Sequence, residues 1–325
     1  MTSLWKVIAV LARGGASALG AVALAGALAA LGGLIDPRLD VAAHLAPLWL
    51  VGALCALGCA ALPPRGWTAR ALAGLGALGV VASGFLIAPE FARPIRPSAP
   101  AGAAPTLRLI QFNAWDLSPD PARAAAWVAA QHPDVVTVEE LTPAFQAALE
   151  AHGLWLIKGV GSTAIFSFAA RGRHPFQVPM SDWPKLPEFA RATFPAPDGG
   201  APYSIVAVHF SWPNIASRWG QREAFAELLD RYPHDRLILA GDFNLTPWSF
   251  GLRAFDRRIG LERRDRALAT WPAMQWWRGR LVMLPAVLPI DHIYAGPGWR
   301  TVRLIRGPRV GSEHYPLVID LALTS

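Results

Sequence analysis

Six stretches of the sequence carry residues able to bind a hard cation and move a proton: "QFNAW" with Asn113, "DVVTVEEL" with Glu139 and Glu140, "VAVHFSWP" with His209, "LILAGDFNLTP" with Asp242 and Asn244, "IDHIY" with Asp291, and "GSEHYP" with Ser312, Glu313 and His314. Carboxylates and carboxamides offer the oxygen donors that Mg²⁺ takes, and imidazoles can transfer protons near neutrality. In "LILAGDFNLTP" a short apolar run ends on Asp242, and a buried charge there must be compensated by a cation, a hydrogen bond or a partner. Each residue alone also has an ordinary role: Asn113 as a turn former, Glu140 at a helix entrance, His209 as a satisfied core histidine, Asp291 as a cap. Their recurrence at six strand ends points instead to one shared site for a phosphate group and a divalent cation.

Other chemistries are disfavoured. No cysteine follows Cys59 and no HxxxH or HExxH occurs, which argues against zinc. The chain also lacks GxSxG and GxxxxGK[ST], the marks of a serine hydrolase and a P-loop nucleotidase.

The elements that must position these residues alternate from residue 107 onward. "LRLIQFNAW" reads as a strand, "SPDPARAAAWVAAQH" as a helix and "DVVTVEEL" as a second buried strand, a βαβ-like opening. "STAIFSFA", "ARATFPA", "YSIVAVHF", "DRLILAGDFN", "IDHIYAG", "TVRLIRG" and "PLVIDLAL" follow as strands, with an amphipathic helix over 217–232. Many strands and few helices predict an α/β fold, a two-sheet sandwich.

The six motifs, in this order and spacing, resemble those of the endonuclease/exonuclease/phosphatase superfamily with its DNase I-like fold. The likeness covers about residues 105–325, and GDFN together with the terminal Ser-acid-His-x-Pro motif makes it specific. With the apolar segments ahead of it, the chain looks like the membrane-anchored branch that includes the VanJ-type and YafD-type proteins. The resemblance implies that Asn113 and Glu140 hold the metal and a phosphate oxygen, with Glu313 as a further ligand. It implies that Asp242 positions or deprotonates the attacking water and Asn244 orients the scissile phosphate. It further implies that His314, held by Asp291, acts as base or stabilises the phosphorane, and that His209 contacts the phosphate or the leaving oxygen. The implied cofactor is Mg²⁺, with Mn²⁺ as the other hard cation. Glu313 stands where the family usually has Asp, and a longer carboxylate still reaches a metal. Glu139 stands where Gln is common and is expected to face solvent.

Composition divides the chain. Hydrophobic residues make up 53% and charged residues 16%, and the long uncharged runs fall before residue 90. The runs at 14–35, 41–62 and 71–88 each approach the length needed to cross a bilayer as a helix, so three transmembrane helices are expected in preference to a cleaved leader. Lys6 and Arg13 precede the first run and Arg65 and Arg70 separate the second from the third, whereas Arg38 is balanced by Asp36 and Asp40. Retention of basic flanks in the cytoplasm predicts an in–out–in–out path. The expected organisation is a membrane anchor over 1–88, a Pro/Ala-rich linker over 89–106 and a catalytic domain over 107–325 facing the periplasm or outer surface. Within 248–290, Arg is interleaved with Trp248, Trp271, Trp276, Trp277, Met283 and Leu284. That mixture suits either a membrane surface or single-stranded nucleic acid, and any one of these Trp residues is as readily part of the core. A tethered, outward site meets lipid-linked phosphate constantly, so a lipid-linked (pyro)phosphate or another envelope phosphoester is the preferred substrate. A nuclease is the enzymatic alternative, and a phosphate-binding module with a decayed site the non-enzymatic one. No protein partner is indicated.

Overall fold

Three apolar helices, Ser3–Leu31 (α1), Ala46–Ala60 (α2) and Trp67–Ala92 (α3), open the chain in a computed structural model that describes residues 3–63, 66–95, 98–100, 102–168, 186–196, 199–213 and 220–324. Arg65 and residues 217–219 of the expected amphipathic helix lie outside the described residues. The spans Val10–Leu34, Leu39–Ala60 and Trp67–Ala92 are long and apolar enough to cross a membrane. Small residues let them approach closely: a Cβ on Gly79 would stand 2.8 Å from the Cβ of Ala53.

The described chain divides into two units, residues 1–93 with Thr246–Ala254, and residues 94–245 with 255–325. Within the first, Asp40 in the turn between α1 and α2 accepts from the backbone amides of Phe250 and Gly251, both at 2.8 Å. Ser249 Oγ takes the amide of Leu252 at 3.1 Å, and His44 Nδ1 takes that of Thr246 at 3.2 Å. The free amides that begin the helix Phe250–Arg258 are thereby satisfied, and the carboxylate sits at the positive end of its dipole.

The second unit is a mixed α/β sandwich. Its strands are Leu107–Asn113 (β1), Val135–Glu139 (β2), Trp155–Val160 (β3), Thr163–Ser167 (β4), Glu188–Phe194 (β5), Tyr203–His209 (β6), Leu237–Asp242 (β7), Glu262–Arg263 (β8), Met274–Trp277 (β9), Arg280–Met283 (β10), Asp291–Ala295 (β11), Trp299–Arg306 (β12) and Leu317–Leu323 (β13). One sheet has the order β12-β13-β1-β2-β4-β3 and the other β5-β6-β7-β11-β8, while β9 and β10 form a separate hairpin. β1 with β2 and β6 with β7 are the parallel pairs, and the helices Pro121–Ala130 and Gln221–Leu229 lie in the respective connections. Asp120 caps the first of these helices, two residues inside the stretch expected to begin at Ser118. The helix Pro143–Ala151, β3, the helix Phe250–Arg258 and the β9–β10 hairpin add to the elements expected from periodicity.

Side chains alternate across each strand, and this period of two builds both the core and the site. Leu107 and Leu109 of β1, Val135 of β2, Ile205 and Ala207 of β6, Ile238 and Ala240 of β7, and Ile293 of β11 all enter one buried cluster between the sheets. On the opposite side of the first sheet, Ile110, Phe112, Val136 and Val138 pack on Ala124, Val128, Phe145 and Leu149. Continuing the inward series along each strand leads to Gln111 and Asn113, Thr137 and Glu139, His209, and Asp242, with Asp291 at the corresponding start of the antiparallel β11. The inner face thus turns from apolar to polar at one end of the sandwich.

Candidate active site

Strand register brings the polar ends together. Asn113 lies opposite Glu139, and Asp242 opposite both His209 and Asp291. Gly241 is what lets β7 approach β6, since a Cβ there would fall 1.9 Å from the carbonyl oxygen of Val208.

The Asn113 amide donates to Glu140 Oε1 at 2.9 Å and to Asp242 Oδ2 at 3.0 Å, while its oxygen accepts from Trp115 N at 3.0 Å. His314 Nδ1 is 2.8 Å from Asp291 Oδ2, and its Nε2 is 3.7 Å from Asp242 Oδ2. From β6, the strand next to β7, His209 Nε2 reaches to 3.7 Å of Asp242 Oδ2 and 4.0 Å of Glu140 Oε1. The amide group of Asn244 is 3.5 Å from His209 Nε2 and donates to the carbonyl of Phe210 at 2.8 Å, and its backbone N–H donates to Asp242 Oδ1 at 2.8 Å. Ser312 ties the last motif to the first, donating from Oγ to the carbonyl of Asn113 at 2.7 Å and accepting from His314 N at 2.9 Å. Glu140 (φ 53°), Asn244 (φ 50°) and Trp115 (φ 62°) all take left-handed backbone that non-glycine residues seldom adopt, strain held in place by these bonds.

The electrostatics follow from a water-poor cluster of acids and imidazoles. Burial alone would lower the His314 pKa, but Asp291 and Asp242 outweigh it and push it up to about 10, so the ring is an imidazolium at neutral pH. Burial would raise Asp291, yet the charge and hydrogen bond of His314 carry it below the ordinary carboxylate range. Asp242 moves upward: burial and neighbouring Asp291 raise it more than His314 and His209 lower it. A carboxylate so placed is a stronger base than a solvated one.

Glu139 requires a correction. Expected to face solvent, it is fully buried, because alternation along Val135–Glu139 points it inward with Val135 and Thr137. Burial pushes its pKa well above the usual range, and Gln111 bridges it to Asp291 with bonds of 2.8 Å to each. Glu140, one residue on, leaves the strand at positive φ and reaches the site. Gln111 is a site residue that motif reading missed, although its spacing of two from Asn113 on a buried strand was a signal. Gln275 is another: it donates to the carboxylate of Glu313 from the β9–β10 hairpin, and no local pattern indicated that contact.

Two groups of side chains each offer ligand atoms lying within 4.8 Å of one another, Glu140, His209 and Asp242, and Asp242, Asp291 and His314. Glu313 belongs to neither, but Glu140 and Asp242 add to the burial that raises its pKa, while His314 pulls it down. Hard oxygen donors in a partly buried acidic cluster fit a divalent cation of the Mg²⁺ type.

Comparison with known proteins agrees with this geometry. The profile described as "Endonuclease/Exonuclease/phosphatase family" matches residues 110–314. No curated protein is matched by sequence. Among solved structures, the endonuclease/exonuclease/phosphatase from Bacteroides vulgatus is similar at TM-score 0.54 and 17% identity, covering 67% of this chain and 99% of its own. The D. rerio TDP2 complexed with single strand DNA product gives 0.53 and 20%, covering 66% and 98%. A mannosyl-6-phosphatase from Bacteroides thetaiotaomicron gives 0.51 and 16%, covering 67% and 100%. At these identities the likeness is one of fold.

Proposed function

Because the chain belongs to the endonuclease/exonuclease/phosphatase family, we propose that it is a membrane-anchored, divalent-metal-dependent phosphoester hydrolase whose site faces away from the cytoplasm and takes a lipid-linked (pyro)phosphate or another envelope phosphoester. The observation that carries the reading is the convergence on Asp242: His314 with its Asp291, His209, and Asn113 with Glu140 all reach the same carboxylate.

In this reading Asn113 and Glu140 would hold Mg²⁺ or Mn²⁺, with Glu313 as the third candidate ligand, and the cation would compensate charge at the phosphoryl oxygens. The protein's own residues do the rest. Asp242, raised in pKa, takes a proton from the attacking water as its oxygen bonds to phosphorus. The imidazolium of His314, fixed by Asp291, donates to a non-bridging oxygen as negative charge grows there. Asn244 orients the phosphate, and His209 faces the oxygen that leaves as its bond to phosphorus breaks.

Glu313 gives a graded test. Glu313→Gln removes charge at nearly constant shape, so the metal requirement rises and the rate falls. Glu313→Asp, which only moves the charge, costs about tenfold or less. Metal-dependent hydrolysis of bis-p-nitrophenyl phosphate at equal folded concentration reads this out, and indifference to Glu313→Gln removes Glu313 from the ligand set.

The substrate class is tested by giving the purified full-length chain a polyprenyl pyrophosphate, phosphatidylinositol phosphates and plasmid DNA in parallel, with Mg²⁺, with Mn²⁺ and with chelator. Preferred turnover of the lipid-borne phosphates is expected. Preferred cleavage of DNA would establish the nuclease alternative, which exposed Trp276 and Trp277 beside Arg278 would serve by stacking. No turnover of any of them would leave a phosphate-binding module.

A further inference from the structure

The β9–β10 hairpin belongs to neither main sheet, and its register sorts its side chains into two faces. Met274, Trp276, Leu281 and Met283 share one face, and Gln275, Trp277, Arg280 and Val282 the other. A hairpin resting on a core buries the apolar groups of one face and wets the other. Here both faces expose large apolar groups: Trp276 is 44% and Met283 53% exposed on the first, Trp277 66% and Val282 38% on the second. Trp248, from the same Arg/Trp-rich stretch, is by contrast a buried residue. Arg278 in the turn and Arg280 beside it are both exposed, and the Arg278 guanidinium lies 5.9 Å from the Trp277 ring centroid. Trp276 Nε1 donates to the carbonyl of Leu117 at 3.2 Å, which brings a further exposed apolar side chain to the patch.

We infer that this hairpin is a lipid-contacting element, seated in the headgroup layer with its Trp, Val and Met side chains against acyl carbon and Arg278 and Arg280 on anionic phosphates. Indole rings favour the boundary between water and hydrocarbon, and guanidinium groups pair with lipid phosphates. Three helices of the same chain are long and apolar enough to cross a bilayer, which makes lipid the apolar phase to which the inference commits. The hairpin also joins the acidic site directly. Gln275 donates to the Glu313 carboxylate, and Ala273 N donates to the Glu313 carbonyl at 2.6 Å. A phosphate ester on a lipid held by the hairpin therefore enters beside Glu313 and His314. The inference rests on the phosphoester-hydrolase reading and names the element that selects a lipid-borne substrate.

The test uses the full chain in nanodiscs of phosphatidylcholine and phosphatidylglycerol, as wild type, as Trp276→Ala with Trp277→Ala, and as Arg278→Gln with Arg280→Gln. Each is given water-soluble bis-p-nitrophenyl phosphate, a polyprenyl pyrophosphate embedded in the disc, and single-stranded DNA. Tryptophan emission is also compared in discs with and without brominated acyl chains. Both double variants should keep the soluble rate within about twofold and lose at least about tenfold on the embedded substrate, through KM rather than kcat. The Trp variant should also lose part of the bromolipid quenching. Unchanged hydrolysis of embedded substrate with unchanged quenching overturns the inference, as does a loss confined to DNA cleavage, which would assign the hairpin to nucleic acid. A wild type that hydrolyses nothing refutes the hydrolase reading, and the quenching difference still decides whether the hairpin meets lipid.

Discussion

His314→Ala is expected to lower kcat by about 10²-fold or more while the variant keeps a folded circular dichroism spectrum at reduced thermal stability. The residue is an imidazolium set between two buried carboxylates, 2.8 Å from Asp291 and 3.7 Å from Asp242. On the proposed mechanism its loss removes the donor to the phosphoryl oxygen, and it leaves two buried acids, Asp242 and Asp291, in mutual repulsion. Asp291→Asn should reproduce much of the defect, because the ring loses both its orientation and the charge that keeps it protonated. The pH dependence has a definite sign. A histidine whose folded pKa is raised contributes stability fully below its ordinary value of about 6.5, and that contribution is lost as pH rises through the folded value of about 10. Wild type should therefore lose stability between neutrality and about pH 10 along a slope that His314→Ala flattens. A variant that retains near-normal turnover would remove His314 from the mechanism.

Removing the divalent cation is expected to have the second large effect. Chelation should bring hydrolysis to background, and Mg²⁺ or Mn²⁺ should restore it. Glu140→Gln should raise the metal concentration needed and reduce the rate by at least about 10²-fold, since even groups that only support a metal ligand commonly cost 10–100-fold. Binding has an independent readout: a cation held only by the folded chain raises Tm by an amount that grows with the logarithm of its concentration above Kd. Wild type should show that rise on adding Mg²⁺ and Glu140→Gln should show much less of it. Chelator-insensitive activity, or equal shifts in both proteins, would refute the assignment of Glu140.

Much of this arrangement can be read from the sequence, because a strand's two-residue period and its apolar content are local properties. The runs at Leu107–Asn113, Tyr203–His209 and Leu237–Asp242 declare both their conformation and the end at which polar residues accumulate. What local reading misplaced was Glu139, where the alternation that identifies the strand also dictates an inward side chain; treating it as a surface acid ignored its parity with Val135. Contacts made across long sequence distances left no such trace. Gln275 meets Glu313 only because a hairpin of Trp, Met and Arg folds beside the last motif, and its exposed composition matches neither a core strand nor a plain loop. The helix Pro143–Ala151 did have a start signal in Thr142 and Pro143, but it is short and its spacing is easily lost beside the acidic motif before it.

The cap that Asp40 places on Phe250 has a consequence for the order in which the protein is made. The two residues are separated by 210 positions. At a translation rate of 5–20 residues per second, about 10 to 40 s pass between synthesis of the carboxylate and arrival of the amides it accepts. During that interval the turn that carries Asp40 and His44 still awaits its partner. When Thr246–Gly251 emerges, the chain closes a loop spanning most of its length, and the residues just beyond Asn244 settle only then. The cap on the segment that follows the GDFN motif is therefore completed only after the chain between Asp40 and Phe250 has been made, so that segment depends on a carboxylate synthesised well before it.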